Sequence, residues 1–197
     1  MRYSIRAVAT MTALVSSMAC AGHGPSRRSA PLSEPDPGSD SSPTVTASSP
    51  DSSAWLAVDS AARTATLLFE VTARAGGPSA LINGYRAGQV QVVIPLGWTV
   101  KWNWRNADST PHSLVVMVQR EKIPLEGGRS AFTNAMTRMV TAGLPPGQTD
   151  QTTFVADEAG WYWLLCGVPD HALQGEWIEL RVDPEAKTAT VKVKARP

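Results

Sequence analysis

An all-β domain, a sandwich or barrel of short strands, is the fold class this sequence predicts. Three observations carry that prediction. Runs of β-branched and aromatic residues recur with period-two alternation, as in Thr99-Val100-Lys101-Trp102-Asn103-Trp104. Turn signals separate the runs at short intervals: Asn83-Gly84, Pro95-Leu96-Gly97, Asn106-Ala107-Asp108, Pro145-Pro146-Gly147 and Asp157-Glu158-Ala159-Gly160. A Ser- and Pro-rich stretch poor in large apolar residues precedes them, leaving 54–197 as one domain of ordinary size.

In chain order, residues 1–20 read as an export signal. Arg2 and Arg6 give a positive start, Ala7 to Val15 is a short apolar stretch, and Ser17-Met18-Ala19-Cys20 ends it in small residues. That length is too short for a membrane span and suits a cleaved signal. The ending resembles a bacterial lipobox, with Ser17 where that motif usually has Leu, so Cys20 is expected to be the lipidated first residue of an exported, membrane-anchored protein at the periplasmic or extracellular face. Ordinary cleavage, with Cys20 removed or left free, is the alternative. Residues 21–53 cannot bury enough surface to offset their ordering entropy and are expected to form a disordered tether. Its 33 residues give a reach of about 30 Å.

Two cysteines in an exported chain first suggest a disulfide. Cys20 on a leader far from the folded part would close no useful core. That leaves Cys166 as a lone thiol in an oxidising compartment, where a metal would occupy it.

Within the domain, strands are expected at Val90–Ile94, Thr99–Trp104, Ser113–Val118, Thr152–Val155 and Trp161–Leu165. Val58–Leu67 and Val182–Val191 resemble each other, each reading as strand, Asp-started turn, strand, and are expected to be two hairpins near the domain's ends. Between Gly127 and Leu144 the residues Ala131, Phe132, Ala135, Met136, Met139 and Val140 recur at helical spacing. A short helix packed over the sandwich follows from that spacing, with Met136 or Met139 as a metal ligand the sharper alternative to plain packing. The tryptophans at 98, 102, 104, 161, 163 and 177 are expected mostly in the core, with Trp177 placed to shield a neighbouring site.

A formal net charge of +1 with no basic patch gives no indication of nucleic acid, and no nucleic-acid partner is expected. No phosphate-cradling glycine loop is present. With three histidines in the chain, of which His23 lies in the expected tether, there is no serine-histidine-acid pattern to run hydrolysis.

The chemistry concentrates at Cys166-Gly167-Val168-Pro169-Asp170-His171, with His112 upstream in Pro111-His112-Ser113 and Glu176 following. Each residue has a plain reading alone: a small core cysteine, a loop histidine, a solvent-facing charge. Together, one thiolate and two imidazoles are the set that holds a single copper ion for electron transfer. Cys166 ends a strand, a loop stiffened by Pro169 returns His171 to the same point, and His112 arrives from elsewhere. Glu176 is the expected fourth ligand and Gln174 the competing one. The same donors also suit tetrahedral zinc. Asn106 is a candidate to hold the His112 loop by side-chain hydrogen bonds, or a simple turn residue.

These motifs resemble the cupredoxins, and more narrowly sulfocyanin and sulfocyanin-like proteins. Asn83-Gly84-Tyr85, Ile94-Pro95-Leu96-Gly97-Trp98, Pro111-His112-Ser113-Leu114-Val115-Val116, Gly143-Leu144-Pro145-Pro146-Gly147 and Cys166-Gly167-Val168-Pro169-Asp170-His171-Ala172 carry the resemblance. It covers most of residues 55 to 180. It implies a Greek-key β-sandwich, a type 1 copper site with His112, Cys166 and His171 as equatorial ligands, and single-electron transfer outside the cytoplasm between a redox donor and acceptor. The family pattern places Met where this chain has Glu176. A carboxylate there favours Cu(II), so a lower potential is expected, with a site closer to the red copper of nitrosocyanin-like proteins than to a blue one. Three functions stay open: an electron carrier; an enzyme binding nitric oxide, oxygen or peroxide at an open position; and a copper- or zinc-binding module without redox work, including a delivery carrier.

Overall fold

The structure, a computed structural model, describes residues 52–77 and 79–194. The expected signal with Cys20, His23 and nearly all of the expected tether lie outside the described residues. A short 3-10 turn at Ser52–Trp55 leads into ten strands: β1 (Leu56–Asp59), β2 (Thr64–Ala73), β3 (Ala80–Ile82), β4 (Val90–Pro95), β5 (Thr99–Asn106), β6 (Val115–Val118), β7 (Thr149–Val155), β8 (Gly160–Leu165), β9 (Trp177–Asp183) and β10 (Thr190–Val193). No α-helix occurs among the described residues, nor any helix long and apolar enough to cross a membrane.

The strands form two sheets. One runs β1-β2-β5-β7, with β3 on β2; the other runs β10-β4-β9-β8-β6. Both are mixed, because β2 pairs β5 in parallel and β4 pairs β9 in parallel, while the remaining pairs are antiparallel. Neighbours far apart in sequence mean that the chain passes back and forth between sheets, the Greek-key sandwich that the motifs implied. Alternation explains the strands. In β5, Val100, Trp102, Trp104 and Asn106 point inward while Lys101, Asn103 and Arg105 face solvent. In β4, by contrast, five of six residues are buried, as befits a strand with neighbours on both edges.

The inward faces meet in one core built around aromatic rings. Trp102 packs edge-on to Phe69 and Phe154, with centroids 6.1 and 5.5 Å away, and Phe154 stacks on Phe132 at 5.4 Å. Trp102 is 1% exposed, so Trp102→Ala should cost about 3–5 kcal/mol, readable as a lower denaturant midpoint. A smaller cluster of Val115, Trp163, Leu165 and Ala172 lies outside this core.

Two expectations are corrected. Val58–Leu67 does form the hairpin β1-β2, but the similar stretch at 182–191 does not form a hairpin. Both edges of β9 are already taken, by β8 and β4, so β10 crosses to the free edge of β4. The repeated sequence encodes an Asp-started turn, not a strand partner. Second, 127–144 contains no helix. It runs as turns along the outer edge of β6: Ala131 N–H donates to Val116 O, Val116 N–H to Ala135 O, and Thr137 N–H to Leu114 O, each at 2.8–2.9 Å. A segment that covers an otherwise open edge uses its backbone groups outward and cannot also close helical bonds. Phe132 and Ala135 anchor it in the core, while Met136 and Met139 are exposed. Most of the tryptophans are in the core; Trp161 is the exposed exception at 46%, with the Arg181 guanidinium 5.0 Å from its ring centre. Trp98, Trp102, Trp104 and Trp163 are buried as expected.

Candidate metal centre

The hairpin β8-β9 carries three of the four proposed donors. Cys166 follows the last residue of β8. Its N–H donates to Glu176 O at 3.0 Å, closing the loop at its base. Inside the loop, His171 N–H donates to Val168 O at 3.2 Å and Glu176 N–H to His171 O at 3.1 Å, so the return path is fixed by backbone bonds. Asp170, at φ 69°, makes the reversal ahead of His171, and its N–H is held by Leu125 O at 2.8 Å. Arg86 clamps the far side by donating to Gln174 O.

His112 comes from the connection between β5 and β6. A two-bond bridge to Leu144 fixes its backbone, His112 N–H to Leu144 O at 3.2 Å and the reverse at 2.7 Å. Asn106, fully buried, donates to Thr110 O and Leu144 O at 2.7 and 3.0 Å and accepts Asp108 N–H at 2.9 Å. It holds the His112 loop, the first of the two readings its sequence position left open. Gly143 lies directly beneath it: a Cβ there would sit 2.9 Å from both His112 N and Pro111 C, at φ 74°. Gly143→Ala should therefore destabilise the fold by about 1–3 kcal/mol and displace His112, measured as a lower melting temperature and weaker metal uptake.

The four donors converge. His112 Nδ1, Cys166 Sγ, His171 Nδ1 and a Glu176 carboxylate oxygen all lie within 4.8 Å of one another. The two Nδ1 atoms are 3.2 Å apart, and Sγ is 3.8 Å from His112 Nδ1 and 3.5 Å from His171 Nδ1. Bond lengths of about 2.0 Å to imidazole nitrogen and 2.3 Å to thiolate place donors of one four-coordinate ion roughly 3.3–3.8 Å apart. The three equatorial donors fit those edges with little movement. Glu176 Oε2 lies closer, 2.9 Å from His112 Nδ1 and 3.2 Å from His171 Nδ1. Its other oxygen, Oε1, is buried with no hydrogen-bond partner. A carboxylate 1% exposed with an orphaned oxygen is costly unless a cation faces it. Met136 and Met139 are exposed side chains, whereas Glu176 is buried with its carboxylate against both imidazoles, so Glu176 is the fourth donor the geometry favours.

Electrostatics agree. Burial opposes protonation of His112, but its bonds to the Glu176 and Asp108 carboxylates outweigh that and raise its pKa above the ordinary value. Burial and then the Glu176 charge push the Cys166 thiol well up, only partly offset by donors that include the Ser113 N–H. Without a metal, the thiol is therefore neutral, and an ion must displace its proton to bind. Ser113 N–H points at Sγ from 3.4 Å, and Ser113 Oγ accepts Gly167 N–H at 2.9 Å while donating to Val140 O at 2.6 Å. Cys166 is free and buried. Trp177 lies over Gly88 and against the small outer cluster.

Sequence reasoning missed three contributors. Ser113, Arg86 and Asp108 all touch donors or the donor loop. Asp108, four residues before His112 in a tight Asp-Ser-Thr-Pro-His turn, was the one with a readable signal. Its Oδ2 is 2.7 Å from His112 Nε2. Burial raises its pKa, but hydrogen bonds from His112, the Ser109 N–H and Thr110 bring it below the usual carboxylate value.

A buried Cys-His-His-Glu cluster at one end of a mixed two-sheet sandwich defines a cupredoxin-type metal site. The Sulfocyanin (SoxE) domain family matches residues 51–192, and the chain belongs to that family. It is 30% identical over 105 residues to the sulfocyanin of Sulfolobus acidocaldarius, an alignment covering 50% of this chain and 53% of that protein. The chain thus matches about half the length of this relative. Among solved structures, reduced rusticyanin aligns at 20% identity over 61% of this chain and 85% of its own, with a TM-score of 0.40. The copper-containing nitrite reductase (NirK) of Thermus scotoductus SA-01 aligns at 19% identity over 61% of this chain and 28% of its own, with a TM-score of 0.45.

Proposed function

We propose that the domain is a one-electron carrier holding a single copper ion through His112, Cys166, His171 and Glu176. The observation that carries this reading is the convergence of the four donors, with the Glu176 carboxylate buried and its Oε1 left without a hydrogen-bond partner. Copper, when bound, supplies a Cu(II)/Cu(I) couple, and the soft thiolate with two imidazoles is the donor set that selects it. The residues around the site restrict movement. Backbone bonds close the Cys166–Glu176 loop, Ser113 ties Gly167 to Val140, and Asn106 fixes the approach of His112. Donors that move little between oxidation states keep the reorganisation cost of electron transfer low.

Access is one-sided. Cys166, His112 and Glu176 are buried, while the His171 side chain is 23% exposed. Leu173, two residues on, and Leu125, bonded through its carbonyl to Asp170, are exposed apolar side chains near it. That edge suits transient docking of a redox donor and acceptor, with His171 as the point of electron entry and exit. Burial of three donors also favours a carrier over an enzyme, which needs a position open to a small molecule. Reductive titration of the copper-loaded full chain tests the reading. One electron per protein, reversibly, is expected. A protein that retains zinc and shows no copper redox activity would overturn it and leave metal binding alone.

The leader supports a place outside the cytoplasm, on a membrane through lipid on Cys20, with residues 21–53 as the tether. A Cys20→Ala variant should move from the membrane fraction to the soluble one. Unchanged membrane association would sink the lipid anchor.

A further inference from the structure

We propose that Asp108 is a positioning residue of the metal centre, acting through His112. It selects the ring tautomer and adds a negative charge behind the ligand. The electronic half of this inference rests on the copper reading; the orienting half applies to any metal those donors bind.

The geometry is specific. His112 Nε2 is 2.7 Å from Asp108 Oδ2, while Nδ1 of the same ring is 2.9 Å from Glu176 Oε2. A neutral imidazole carries one proton. With that proton on Nε2 it is donated to Asp108, and the Nδ1 lone pair faces the other donors. Without an ion, each tautomer leaves one lone pair facing a carboxylate, Glu176 Oε2 at 2.9 Å or Asp108 Oδ2 at 2.7 Å; a cation between Nδ1 and Glu176 removes the first conflict and leaves the second. With an ion at Nδ1, Asp108 therefore holds the ring in the tautomer that binds it.

Asp108 is itself held. Its side chain is 10% exposed. Oδ1 accepts the Ser109 N–H at 2.6 Å, Oδ2 accepts the Thr110 hydroxyl at 3.0 Å, and its own N–H donates to Asn106 Oδ1 at 2.9 Å. Thr110 Oγ1, having given its proton to Asp108, stands 2.9 Å from His112 Nε2 as a second acceptor. A fixed carboxylate behind an imidazole raises that ligand's basicity. With Cys166 and Glu176 it brings three anionic groups to bear on the ion, which favours the higher oxidation state.

Two variants of the full chain separate orientation from charge. Asp108→Ala removes both; Asp108→Asn keeps an oxygen able to accept Nε2–H but removes the charge. In chelator competition with Zn(II), Asp108→Ala should lose about 10–100-fold in affinity, with Asp108→Asn recovering most of it. NMR of the Zn(II)-loaded wild type should show His112 protonated at Nε2. With copper, Asp108→Asn should shift the relative Cu(II)/Cu(I) affinity about tenfold toward Cu(I), about 59 mV upward. Zn(II) affinities of both variants equal to wild type, or a His112 protonated at Nδ1 in the metal-loaded protein, would overturn the inference. A wild type with its copper–thiolate band intact beside two indistinguishable variants would remove Asp108's role and leave the copper reading standing. Zinc results as expected in a protein that gives no such band would do the reverse.

Discussion

Glu176→Met raises the reduction potential of the copper-loaded protein by on the order of 100 mV. The physical basis is the loss of a buried negative charge. Glu176 is 1% exposed, and its Oε2 lies within 3.2 Å of both Nδ1 atoms. A unit charge about 4 Å from another interacts by about 4 kcal/mol at an effective dielectric constant of 20. Reduction removes one unit of charge from the ion, so a carboxylate beside it resists that step by a comparable amount. A tenfold change in relative affinity is about 59 mV for one electron, and relaxation of the site absorbs part of the gross energy. Methionine is neutral and soft, prefers Cu(I), and is close enough in length to occupy the same space. Cyclic voltammetry of wild type and variant checks this. Equal potentials would mean that Glu176 does not touch the ion.

Cys166→Ser has the second large effect. The replacement is small and the backbone of the site keeps its bonds, because Ser113 N–H can donate to a hydroxyl as it does to sulfur. The fold should survive with a modest loss of stability. Metal binding should not. Four-ligand structural zinc sites in small peptides are worth about 10–16 kcal/mol, so one donor represents on the order of 3 kcal/mol, or about 100-fold in affinity. A serine hydroxyl does not ionise at neutral pH, and it removes the soft donor that favours copper over harder competitors. Competition titration should show copper affinity falling by at least that factor, more for Cu(I) than for Cu(II). An affinity within a few-fold of wild type would mean that the thiol is a core residue.

Much of this was legible in the sequence because the relevant signals are local. Period-two alternation locates β5, where Trp102 and Trp104 face inward between Lys101, Asn103 and Arg105. The ligand loop is a single hairpin connection, so the spacing of Cys166, His171 and Glu176 is itself the geometry. What escaped is decided by competition for strand edges. The 182–191 stretch has the right turn for a hairpin, yet β4 had already taken the edge it would use. The helical spacing between Gly127 and Leu144 reflects that Phe132 and Ala135 anchor a strap over β6, while Met136 and Met139 point outward. Trp161 is hydrophobic by type but lies on the outer face, where Arg181 covers part of it. Asp108 read as a turn residue, which it is; that its Oδ2 meets His112 depends on the tight turn through Ser109 and Thr110.

On the proposed reading, one copper ion is bonded to Cys166 together with His112, His171 and Glu176. Visible absorption and EPR of the Cu(II)-loaded full chain test it most directly. An intense thiolate-to-copper band is expected at one ion per chain, absent from Cys166→Ser, with a hyperfine splitting that Glu176→Met alters. Weakly bound copper showing no such band would contradict it, because the thiol would then be unbonded and the cluster a site for another metal.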